Sequence, residues 1–122
     1  MKGEGGRGGE ENPWPHYALA RALLRSGDLN RADAEAERAV QLQPHGLWPN
    51  FYHGLCSYRR GRYPDAVKAF SVCIGAAPDA AGGYYNRALA FVALGQMTEA
   101  RRDAENAKRL DPSLPPLRIP SH

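Results

Sequence analysis

The residues of this chain best suited to chemistry are its four histidines and two cysteines, and their spacing argues against most of what they could do. His16, His45, His53 and His122 fall at none of the separations that metal-binding helices or fingers use, and no Cys-x-x-Cys pair is present. No metal and no cofactor is therefore expected. His53 and Cys56 lie three apart, a helical spacing that could set a base beside a thiol nucleophile. Neither an orienting third group nor an oxyanion donor accompanies them, so packing is the better account. The early run GEGGRGG is rich in glycine, yet it follows no strand pattern and holds no Gly-Lys-Ser/Thr, so it is not read as a phosphate loop. What remains is recognition chemistry, carried by arginines and aromatic rings.

The elements that place those residues follow from a 34-residue period. In register from position 13, residues 13–46, 47–80 and 81–114 form three equal blocks. Pro44, Pro78 and Pro112 share one column, and Gly27, Gly61 and Gly95 another. Ala32, Ala66 and Ala100 form a third, and Ala39, Cys73 and Ala107 a fourth that admits only small side chains. A fixed period of this length marks stacked supersecondary units, none able to bury its apolar face alone.

Each block divides at its central glycine into two helical stretches. In the second block these are Asn50–Arg60 and Pro64–Ala76. Pro15, Pro49 and Pro64 suit helix starts, where the missing amide proton costs nothing, and the three glycines suit left-handed helix ends. Ala66, Phe70 and Cys73 recur at i, i+4 and i+7, as do Ala100, Ala104 and Ala107, giving one apolar stripe per second helix. The small column Ala20, Gly54 and Ala88 allows the first helices a close approach. No alternating strand pattern occurs, and the fold class is all-α.

With that length, turn glycine, alanine and closing proline in all three blocks, the chain resembles the tetratricopeptide repeat family over about 102 of its 122 residues. The third block, YYNRALAFVALGQMTEARRDAENAKRLDP, carries the resemblance most closely. His16, Asn50 and Tyr84 stand where the family usually has a large aromatic residue, and His53 where leucine is common. The resemblance implies a right-handed α-solenoid of three antiparallel helix pairs whose first helices line a concave groove. It also implies a non-enzymatic scaffold that binds peptides or protein surfaces.

The first helices hold Arg21, Arg25, Arg59, Arg60 and Arg87 and no aspartate or glutamate, while all thirteen acids lie elsewhere. They also hold most of the aromatic residues. Placed on a concave face, these charges would focus a positive field, and arginines with aromatics make strong binding anchors. The expected groove is Trp14, Tyr17, Arg21, Arg25, Trp48, Tyr52, Arg59 and Asn86, binding an acidic or aromatic-rich peptide. Repeat domains that hold acidic chaperone tails use a clamp of lysines, asparagines and an arginine. The matching positions here are Tyr17, Arg21, Tyr52, Gly82 and Asn86, none with the expected residue, so that mode is not expected. Arg87 occupies an inward column and needs a partner, which the register makes Asp103.

The third block also reads as an end. Its Lys108 follows Val40 and Ile74 in a column that is apolar where another block stacks on it, and the proline-rich, nonhelical stretch from Leu114 to Pro120 would lie over that end. Residues 1–12 read as a flexible glycine-rich tail, 13–114 as the repeat domain and 115–122 as a proline-rich tail. A net charge of +3 demands neither nucleic acid nor membrane, and the basic residues of the last helix alternate with acids. Cys56 and Cys73 on apolar faces favour reduced thiols and a cytoplasmic setting. Two alternatives stand beside peptide binding: assembly into weak homo-oligomers through the repeat ends, or service as the repeat portion of a larger bacterial signalling protein.

Overall fold

The computed structural model describes residues 12–120, so almost all of the expected N-terminal tail lies outside the described residues. Among the described residues six α-helices follow one another: α1 (Trp14–Ser26), α2 (Leu29–Leu42), α3 (Leu47–Arg59), α4 (Tyr63–Ala76), α5 (Ala81–Ala93) and α6 (Met97–Leu110). Each packs on its neighbours in sequence, and the first helices of successive pairs also touch, α1 on α3 and α3 on α5. The result is an all-α solenoid with no strand among the described residues.

The periodic columns acquire their physical reasons in the turns. Gly27, Gly61 and Gly95 adopt φ of 87°, 77° and 78°, a left-handed conformation costly for any residue with a Cβ. Each lets the chain fold back so that the amide of Asp28, Arg62 or Gln96 reaches the carbonyl of Leu23, Ser57 or Phe91, at 3.0, 2.8 and 2.9 Å. The prolines act on the residue before them. Gln43, Ala77 and Asp111 end their helices at φ near −145°, because a following proline ring excludes the α conformation.

Three boundaries differ from the expected ones, the smallest change being at α4, which starts at Tyr63 rather than Pro64. α3 starts at Leu47 rather than Asn50, with Pro49 inside its first turn, where amides lack helical partners and proline is tolerated. The Asn50 amide donates to the carbonyls of Pro44 and Gly46 at 3.0 and 2.9 Å, tying the inter-block turn to the helix start. Arg60 caps α3 instead of belonging to it.

Small residues bring the helices together. Ala20, Ala32, Ala36, Ala66, Ala88 and Ala100 are wholly buried, and the large fully buried side chain is Phe70. Residues 111–120 run without helix, Arg101 donates to the Pro120 carbonyl at 3.1 Å, and Leu114 and Leu117 share a cleft with Tyr85, Ala104 and Lys108. The extended stretch thus lies against the face of α6 that, on α2 and α4, meets a further helix.

Candidate functional site

The first helices place part of the expected groove in one spot. Arg21 and Arg25, one turn apart on α1, and Tyr52 and Arg59 on α3 line an open cleft of about 310 Å³ with Leu24, Phe51 and Leu55 as apolar lining. No carboxylate is among its lining residues. Tyr17 stacks on Tyr52 with ring centroids 5.9 Å apart and planes 11° from parallel. Trp48 joins this cluster at 6.2 Å from Tyr52 and meets Phe51 edge-on at 5.7 Å, while remaining 48% exposed. Tyr17 and Trp48 therefore extend the cleft as an aromatic shelf, since offset and edge-on ring contacts hold such side chains in place.

Two expected residues stand apart. Trp14 is 59% exposed at the start of α1 and does not line the cleft. Asn86 turns its amide back to the Gly82 carbonyl of its own helix, 2.8 Å away.

The positive face is smaller than the five arginines suggest. Arg60 pairs with Asp33, and Arg87 grips Asp103 with Nε and a terminal nitrogen at 2.6 and 2.8 Å, as the register implied. Arg87 also donates to the Ser71 hydroxyl at 3.1 Å and lies over the Phe91 ring. Arg59 gives one nitrogen to the Leu24 carbonyl at 2.7 Å, which joins the ends of α1 and α3. Arg21 and Arg25 remain exposed at the cleft.

On the second-helix side lies a polar network that sequence reasoning missed. Asp33 of α2 is 2% exposed and accepts from His53 Nδ1 at 2.9 Å and from Arg60. Burial alone would raise its carboxyl pKa, but the His53 hydrogen bond and charge, together with Arg60, hold it below the usual carboxylate range. Leu19, His53 and Arg87 share one column, so the reasoning that demanded a partner for Arg87 demanded one for His53 as well. His16 forms a similar contact to Glu35 at 2.8 Å. Both cysteines are buried, and burial pushes each thiol up to about 12, so neither is a thiolate nucleophile near neutrality.

Comparison with known proteins agrees with the helical stack. The sequence profile of the tetratricopeptide repeat matches residues 17–81 and 53–115. The Hsp70-Hsp90 organizing protein 3 of Arabidopsis thaliana is 31% identical over 91 residues, which are 75% of this chain and 16% of the relative. The chain thus spans a small part of the length of the curated relative it matches. Among solved structures, the first TPR of Spaghetti (RPAP3), bound to the HSP90 peptide SRMEEVD, has a TM-score of 0.81 at 16% identity, covering 84% of this chain and 82% of that one. MamA 41-end from Desulfovibrio magneticus RS-1 has a TM-score of 0.77 at 26% identity, over 84% and 58% of the two chains. With the profile covering most of its length, the chain belongs to the tetratricopeptide repeat family.

Proposed function

We propose that this protein is a non-enzymatic scaffold that binds an acidic, partly aromatic peptide segment along its first helices. The observation that carries this reading is the cleft in which Arg21, Arg25 and Arg59 surround Leu24, Phe51, Tyr52 and Leu55 without any acidic neighbour. Apolar ligand side chains bury against the floor and the Tyr17, Tyr52 and Trp48 rings. Carboxylates meet guanidinium groups whose planar fork suits them. Trp14 and Asn86 are left out of this reading. A neighbouring fold is described as bound to the acidic peptide SRMEEVD, which supports peptide recognition as the class of function. The clamp positions Tyr17, Arg21, Tyr52, Gly82 and Asn86 carry other residues, so an acidic segment is held here by different groups.

Fluorescence anisotropy tests this with a labelled peptide of alternating aspartate and phenylalanine. Arg21→Glu with Arg25→Glu is expected to weaken binding at least tenfold, since each exposed cation becomes a like charge to the ligand. Asparagine in place of aspartate in the peptide should do the same, and added salt should weaken the wild-type complex. Equal affinity in wild type and double variant overturns the proposal. Affinity for SRMEEVD that survives Arg21→Ala yet disappears in salt places acid binding elsewhere on the protein.

A further inference from the structure

The second helices frame another cleft, of about 410 Å³, between α2 and α4 with α3 as its floor. Asp33 and Glu37 enter it from α2, one turn apart, and His53 and Ser57 from α3, also one turn apart. A carboxylate oxygen from each acid and a ring nitrogen of His53 lie within 4.8 Å of one another. We propose that Asp33, Glu37 and His53 form a binding site for one divalent transition-metal ion of the zinc or cobalt type, across the junction of the first two repeats.

Four observations support this. The ligand set, one imidazole and two carboxylates, suits borderline ions such as zinc and cobalt. The 2.9 Å between His53 Nδ1 and Asp33 Oδ1 is a hydrogen bond without the ion, and it comes within about half an ångström of the ~3.4 Å that separates two ligands on a tetrahedral ion with bonds of about 2.1 Å. Arg60 holds the other Asp33 oxygen, which fixes the carboxylate and leaves Oδ1 for the ion, as outer-shell partners of ligating carboxylates do. The Ser57 hydroxyl, also lining this cleft, is the buried side-chain polar atom without any hydrogen-bond partner among the described residues. An isolated buried hydroxyl calls for an explanation, and a metal-bound water would donate a hydrogen bond to its oxygen.

The register between blocks supports the placement of Glu37. Glu37 and His53 occupy the columns of Ser71 and Arg87, and that second pair meets across the next junction at 3.1 Å. The same geometry one block earlier brings a carboxylate to an imidazole. The three ligands come from two helices and form no single short motif, so the spacing of the histidines along the chain does not bring them together.

Calorimetric titration of the metal-free protein with zinc chloride, repeated with cobalt chloride under a visible absorption scan, tests the site. One ion per chain is expected, with a cobalt absorption band that zinc abolishes. Glu37→Gln alters an exposed side chain and should leave the melting curve intact while weakening zinc at least tenfold. His53→Gln should weaken it further, and His45→Gln should leave it unchanged. Absence of stoichiometric uptake, or uptake unaffected by Glu37→Gln, overturns the proposal. If His53→Gln lowers stability while zinc changes nothing in wild type, the cluster is a structural network alone.

Discussion

Arg87→Met is expected to lower the unfolding free energy by about 3 kcal/mol, because it strands a buried carboxylate without its partner. Asp103 is 2% exposed, and Arg87 supplies both of the nitrogens that its oxygens accept. Removing the guanidinium also frees the Ser71 hydroxyl, which donates to the Val67 carbonyl at 2.7 Å and accepts from Arg87. Asp103→Asn should cost less, since Arg87 is 23% exposed along its side chain and can reach water. The double variant, which buries no net charge, should be no less stable than Arg87→Met alone. Urea denaturation of the four proteins gives the coupling directly, and additive losses would show that the two charges do not stabilise each other.

The success at Arg87 and the oversight at His53 mark what a repeat makes readable. Turn glycines, closing prolines and small packing columns recur in every block because each block solves the same backbone problem. Their reasons, left-handed turns and exclusion of the α conformation before proline, act within a few residues and so appear in one dimension. A charge in an inward column is visible in the same way, and it predicts that a partner exists. It names the partner only when the partner lies in the same block, as Asp103 does. His53 instead meets Asp33 of the preceding block, in a column continued by Val67 and Arg101, which share no character that could betray the contact.

Arg60 shows the other limit. Its neighbour Arg59 lines the first-helix cleft, but one step along a helix turns a side chain by about 100°, and Arg60 reaches α2 on the other side. Adjacent sequence positions suggested one basic surface where there are two roles. Asn86 was expected in the groove, and its amide nitrogen donates to the Gly82 carbonyl of its own helix. Columns predict backbone and burial well. They predict the commitments of long polar side chains poorly, because those depend on which neighbour is within reach.

The middle block contains a size exchange that yields a change of sign. Ala20 and Ala36 in the first block correspond to Gly54 and Phe70 in the second and to Ala88 and Ala104 in the third. A Cβ at Gly54 would sit 2.6 Å from the Phe70 ring, whose side chain is wholly buried and cannot swing away. Gly54→Ala should therefore destabilise the native protein by about 1–3 kcal/mol through overpacking, despite the better helix propensity of alanine. Phe70→Ala should cost about 3–5 kcal/mol by opening a cavity. In the Phe70→Ala background the obstacle is gone and the cavity can accept a methyl group, so Gly54→Ala should stabilise by up to about 1 kcal/mol. Thermal or urea unfolding of the two single variants and the double reads this reversal. If Gly54→Ala destabilises equally in both backgrounds, the glycine is required by the backbone rather than by the ring, and the close approach of α3 and α4 has another cause.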